Sequence, residues 1–203
     1  MEIVRTKTLG SAWKKSFYKV YQQGNIIDDD KGKIKELLDL FVIIQNIEED
    51  SFIKKHGDEQ SIKWMKNNFE KKIPIDDWGY CYGQRIYDFL GINQLKSTVE
   101  RLKKNPYSKS ATISLMMAHK DKEHVPCLVA LDFKIRKCKL ITTVFLRSQD
   151  IGKKFYADAL AIKNIANKIS KEIPSPLGEF VFFIKSAHFY ISDLERLEKI
   201  FKP

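Results

Sequence analysis

Two strand-like runs, CLVALDFKI at 127–135 and KLITTVFLR at 139–147, are joined only by the tight segment RKCK at 136–139. A connection that short forces the chain back on itself, so any fold must contain this antiparallel pair. A third run, ATISLMM, precedes the pair, and GEFVFFIKSAHFYI forms a last strand well after it. Between them, Ile162, Ile165, Ala166 and Ile169 come together on one face of a helix spanning about Phe155 to Ser170.

The first half of the chain reads as helical. Ser11 can cap a helix that carries Trp13, Phe17, Val20 and Tyr21 on one side and ends near Gly24. DDDKGK is a charged turn, and IKELLDLFVII reads as a long buried element that is helical at its start. EQSIKWMKNNFEKK is another helix. Ile92, Leu95, Val99 and Leu102 repeat with the spacing of a buried helical face, which Asn105-Pro106 stops. Ser192 can cap a short final helix. The pattern is α+β, a largely antiparallel or mixed sheet packed against several helices. No repeat, low-complexity tract or Pro/Gly-rich linker divides it, so residues 1–203 are read as one domain.

The second strand of the hairpin ends unlike a buried strand. After Leu140 to Leu146 come Arg147, Ser148, Gln149 and Asp150, a guanidinium, a hydroxyl, an amide and a carboxylate in a row. The partner strand begins with Cys127 directly after Pro126, a thiol held rigidly near solvent. A cation beside a thiol favours the nucleophilic thiolate, although one cysteine beside a strand also fits a small apolar core residue. Lys and Arg number 36 against 26 Asp and Glu, a formal charge of +10 that suits an anionic partner such as a phosphate, a nucleotide or a nucleic acid. Much of that excess is lysine scattered over solvated helices. Cys81, Cys127 and Cys138 lack CxxC spacing, which points away from a disulfide framework or a metal site and toward a reducing cytosol. With no long apolar run and no signal-like N-terminus, the expected location is cytoplasmic, without a membrane.

Taken together, PCLVALDF, RSQD and GEFVFFIKSAHFY resemble the thymidylate synthase family, whose signature orders a Pro-Cys nucleophile, Arg-Ser-x-Asp, Gly-acid-Phe and a late His-x-Tyr. KELL at 35–38, CYGQRI at 81–86 and LKKNPYSKSATIS agree in order with its earlier elements. The resemblance implies the family's α/β sandwich, with a bent mixed sheet against helices, and a homodimer formed by sheet packing. It implies transfer of a one-carbon unit from a reduced methylene-pterin, methylenetetrahydrofolate or a methanopterin analogue, to C5 of a pyrimidine nucleotide, with no metal. Cys127 then stands for the nucleophile that adds to C6. Glu36 matches the glutamate of proton transfer, and Tyr82 the tyrosine that helps activate C5. Arg147 and Ser148 fall at phosphate contacts, Asp150 at the pterin contact, and His188 and Tyr190 at the sugar-binding pair.

Departures from the pattern bear on the substrate. Asp158, 11 residues after Arg147, replaces the asparagine that reads uracil in thymidylate synthases; the family's cytidylate hydroxymethylases carry aspartate there. A carboxyl group can accept from the cytosine amine. The arginine pair that reaches a partner's phosphate appears as Lys109-Ser110, and Lys31 or Lys33 stands near the other phosphate arginine. The chain stops 13 residues past Tyr190, as in short archaeal members. Two activities therefore stay open, thymidylate synthesis (dUMP to dTMP) and (d)CMP hydroxymethylation, beside a non-catalytic nucleotide- or RNA-binding paralogue.

Overall fold

A computed structural model describes residues 1–74 and 79–201. Seven strands, β1 (Glu2–Thr6), β2 (Asn25–Asp29), β3 (Gly32–Ile44), β4 (Thr112–Ser114), β5 (Leu128–Arg136), β6 (Lys139–Asp150) and β7 (Leu177–Tyr190), form one mixed sheet in the order β1-β3-β7-β6-β5-β4. The hairpin expected from RKCK is β5–β6, and its turn places Lys137 and Cys138 at positive φ. β3 is long enough to take β2 along Gly32–Glu36 and then β1 along Leu40–Ile44 on the same edge.

The helices are α1 (Leu9–Gln23), α2 (Ser51–His56), α3 (Glu59–Glu70), α4 (Tyr82–Tyr87), α5 (Gln94–Lys104), α6 (Phe155–Glu172) and α7 (Leu194–Phe201). α1 and α6 lay their apolar faces on one side of the sheet, where Trp13 and Phe17 meet Phe189 and Phe201, and Phe155 meets Phe182. The α+β architecture, with a bent mixed sheet against helices, is therefore observed.

Four sequence expectations change. IKELLDLFVII is not helical at its start but lies wholly within β3, hydrogen-bonded to β2 and β7 across Glu36. Pairing on both edges holds the backbone at Ile34–Glu36 and again at Leu40–Ile44, and this outweighs the helix preference of Lys, Glu and Leu. Thr8, not Ser11, caps α1, its hydroxyl accepting from the Ser11 amide. Ile92 lies before α5 and is 56% exposed, so the buried face begins at Leu95. Ser192 sits inside a single 3-10 turn, Ile191–Asp193, that leads into α7.

One irregularity positions everything that follows. Along β6 the buried residues are Leu140, Thr142, Val144 and Leu146, but the next is Gln149, one place out of phase. β7 slips in the same way, from Ile184 to Ala187. In β3 the matching level is Asp39, held at φ 58° and paired to Lys185 at 2.8 Å. A strand alternates faces with period two, so a one-residue slip reverses which side chains look inward. Ser148 is thereby freed from the helix layer and Gln149 is turned into it.

Candidate active site

Cys127 occupies the residue before β5 and is exposed, while Pro126 beside it is buried. Its position is fixed from β6. The Arg147 amide donates to the Cys127 carbonyl at 2.9 Å, and the guanidinium donates through Nε to the Pro126 carbonyl and through Nη2 to that of Val125, at 2.9 and 2.7 Å. Arg147 therefore clamps the loop that carries the thiol, with its remaining N–H donors free to meet an anion. The Ser148 hydroxyl donates to Cys127 Sγ at 3.2 Å, a sulfur contact where the sequence implied only a phosphate ligand.

Tyr82, 6% exposed at the start of α4, meets the same loop from the other side. Its hydroxyl accepts from the Leu128 amide at 3.2 Å. Burial pushes this phenol well above its ordinary range, and the neighbouring Cys127, Tyr80 and Asp158 act in the same direction. Tyr80 was not singled out from the sequence. Its ring carries the Arg85 guanidinium at 4.3 Å and lies edge-on to Tyr82, and burial pushes its hydroxyl up to about 12. Arg85 in turn donates to the Leu115 carbonyl and forms a buried ion pair with Asp121, which also accepts from the Met117 amide. Burial alone would raise the Asp121 carboxyl, but these hydrogen bonds hold it below the ordinary range. Arg85 and Asp121 lie 36 residues apart, and nothing local in the sequence joins them.

Beyond the slip, Asp150 of β6, His188 of β7 and Glu36 of β3 stand in one row across three strands. Burial raises the Asp150 carboxyl, opposed by His188, and its Oδ1 accepts from the Lys153 amide at 3.0 Å. His188 Nδ1 lies 3.4 Å from the Ser186 carbonyl, and the Ser186 hydroxyl donates to Glu36. Tyr190 packs edge-on to His188 at 5.9 Å; burial raises its hydroxyl. Glu36 is thus brought beside His188, on a strand.

Asp158 enters from the first turn of α6. Its Oδ2 accepts from Gln149 Nε2 at 2.8 Å, and burial pushes the carboxyl up to about 6. A cleft of about 510 Å³ adjoins this turn, lined by Trp64, Met65, Asp58, Lys154 and Ala157. A larger cleft of about 650 Å³ opens between Tyr80 and the 117–124 loop. Lys109 is the one expected site residue that stays apart. It precedes β4, and Ala111 accepts from Phe133, six residues along β5 from Cys127 or roughly 20 Å at the strand rise. Lys31 and Lys33 are exposed at the β2–β3 turn. Among the described residues no three His, Cys, Asp or Glu side chains gather as metal ligands, and no helix is long and apolar enough to cross a membrane.

Comparison with known proteins adds to this geometry. Residues 30–202 match the family model described as thymidylate synthase. Relatives named "Putative thymidylate synthase" include one from Methanosarcina mazei, 29% identical over 98% of this chain and 94% of its own, and one from Methanosarcina barkeri at 28% over the same shares. A third, from Methanothermobacter thermautotrophicus, is 27% identical over 98% of both chains.

Proposed function

The chain belongs to the thymidylate synthase family, and on that premise we propose that it activates C5 of a pyrimidine nucleotide through a Cys127 adduct at C6. The observation that carries the reading is the set of contacts converging on Cys127: the Arg147 clamp on its loop, the Ser148 hydroxyl on its sulfur and the Tyr82 hydroxyl on the next amide. A nucleophile needs that fixed approach and an exposed sulfur.

In this reading the thiolate adds to C6 and moves the electron pair of the C5–C6 bond onto C5. C5 then bonds to the methylene carbon of a reduced pterin. Loss of the C5 proton breaks the bond from that carbon to the pterin nitrogen and leaves an exocyclic methylene; addition of hydride or water to it restores the C5–C6 double bond and expels Cys127 as thiolate. The pterin supplies the one-carbon unit and, for a methyl product, a hydride that leaves it two electrons more oxidised; water attack instead gives the hydroxymethyl product. The nucleotide phosphate meets the free N–H groups of Arg147. The sugar hydroxyl meets His188 and Tyr190. Glu36, beside them, relays protons through water to the base edge. A flat pterin suits the cleft at Trp64, because an indole and the Met65 and Ala157 surfaces offer an apolar floor of the right size, with Asp58 as an acceptor for ring N–H groups; the resemblance adds Asp150, on β6, as a further pterin contact.

Thymidylate synthesis from dUMP is the leading activity, supported by the names of the relatives; Asp158 favours dCMP hydroxymethylation as the second. Loss of tritium from C5 of dUMP and of dCMP, with methylenetetrahydrofolate or a methanopterin analogue, tests both. Release to water that disappears in Cys127→Ser, while nucleotide binding persists, is the expected result. Binding without release from either base with any donor would favour the non-catalytic paralogue. We further propose a homodimer through the sheet face opposite α1 and α6.

A further inference from the structure

The base-reading carboxyl is not alone. Gln149 is 2% exposed, turned inward by the strand slip, and its one strong side-chain hydrogen bond is the 2.8 Å donation to Asp158 Oδ2. Its other contact, to the Asp150 carbonyl at 3.5 Å, is at the limit of a hydrogen bond. Resting on the reading of Asp158 above, we propose that Gln149 is a specificity-setting residue: by donating to Oδ2 it decides which oxygen of a neutral Asp158 carries the proton, and thereby which pyrimidine is accepted.

The chemistry follows from donor and acceptor inventories. At positions 3 and 4 uracil presents N3–H and O4, a donor and an acceptor; cytosine presents a bare N3 and an amine, the same two in reverse. An ionised carboxylate only accepts, so against either base it faces one acceptor with another, and a buried mismatch costs about 1–3 kcal/mol or more for a charged group. A neutral acid offers one donor and one acceptor and can match either base, depending on where its proton sits. An amide nitrogen can only donate, so the Gln149 contact requires Oδ2 to accept and, because a carbonyl oxygen accepts better than an acid hydroxyl, favours the proton on Oδ1. Oδ2 keeps a second lone pair for the base. The order of donor and acceptor is then fixed, and only one base fits it.

The surroundings suit a neutral form. Facing Asp158 are Gln149, whose hydrogen bond favours its charge, Lys154 at the N-cap of α6, which also favours it, Asp150 on β6, which disfavours it, and the Tyr82 phenol on α4. Burial outweighs these and raises the carboxyl to about 6. At neutral pH the free protein therefore holds mostly carboxylate, and binding the base must draw in a proton.

Calorimetry of dUMP and dCMP binding near pH 7, repeated in buffers of different ionisation heat, tests this directly without requiring turnover. Expected for the preferred nucleotide is uptake of close to one proton, about 0.9 for a group at about 6, lost in Asp158→Asn. Gln149→Leu, of similar volume, should narrow the ratio of the two affinities by about tenfold or more while proton uptake remains, because the proton can then sit on either oxygen. Gln149→Met serves as the second variant, with thermal melting to establish folding. Proton uptake unchanged in Asp158→Asn, or a ratio unchanged in both folded Gln149 variants, overturns the proposal. If neither nucleotide binds, or Asp158→Asn leaves both affinities as they were, the base-reading role of Asp158 itself falls. If Asp158→Asn switches preference but the Gln149 variants do not, only the role of Gln149 falls.

Discussion

At the scale of single residues, the contact least expected from the sequence is Ser148 Oγ on Cys127 Sγ. A hydroxyl donating to sulfur is worth most when the sulfur is negative, and hydrogen bonds to charged groups contribute about 1.5–3 kcal/mol. Ser148→Ala should therefore slow alkylation of Cys127 by iodoacetamide about 10- to 100-fold in the nucleotide-free protein. A serine that served only the phosphate would leave that rate unchanged and raise the nucleotide KM instead. Asp158 gives a second residue-scale prediction. Its folded carboxyl is raised to about 6 by burial against an unfolded value near 4. The native state then binds more protons than the unfolded chain between those values, so stability falls as pH rises through that window. Asp158→Asn removes the loss. The variant should match the wild type near pH 4 and exceed it near pH 7 by up to about 2–3 kcal/mol in urea denaturation; an advantage independent of pH would show that ionisation is not its cause. Cys127, Arg147 and Asp158 were legible because strand ends and motif order mark them. Gln149 was not, since its partner is on α6 and only the strand slip turns it inward.

At the scale of elements, the Cys127 loop depends on a link between α4 and the segment from β4 to β5. Arg85 and Asp121 have side chains 4% and 2% exposed, and they tie Leu115 and Met117 to the helix that carries Tyr82. Removing one partner strands a buried charge, so Arg85→Met should cost about 3–5 kcal/mol and Asp121→Leu a similar amount. The double variant should cost clearly less than the sum, because neither charge is then left unpaired. Additive losses in urea denaturation would mean that the two side chains act separately. The same loop explains what sequence patterns could and could not supply. The β5–β6 hairpin and α6 follow from local periodicity and a short turn. β3 does not, because KIKELL favours a helix locally and becomes a strand only through pairing with β2, β1 and β7, the last about 150 residues away. That difference moves Glu36 from a helix surface to the strand row beside His188, which no local pattern indicates.

At the scale of the whole molecule, one face of the sheet carries α1 and α6, while the other carries a row of apolar side chains across five strands: Ile3, Phe41, Phe183, Phe145 and Ala130. Phe41 meets Phe183 edge-on at 4.3 Å, yet Ile3 and Phe145 remain 55% and 38% exposed. Such a contiguous face is costly in water and fits a second copy of itself, since a two-fold axis lets one patch serve both chains. Phe145→Glu would bury a charge at that contact and should convert dimer to monomer in sedimentation equilibrium. The proposed dimer would also give Lys109 a role, since it lies far from Cys127 in its own chain and could complete a phosphate site only across the interface. Lys109→Ala should weaken nucleotide binding, and Cys127→Ser should abolish C5 tritium release. Mixed and refolded together in equal amounts, the two variants form hybrids in about half of the dimers, each with one site that has Cys127 from one chain and Lys109 from the other. Release at low nucleotide should then recover toward about a quarter of the wild-type rate. If Lys109 acts within its own chain, no hybrid contains an intact site, and mixing gives only the average of the two variants.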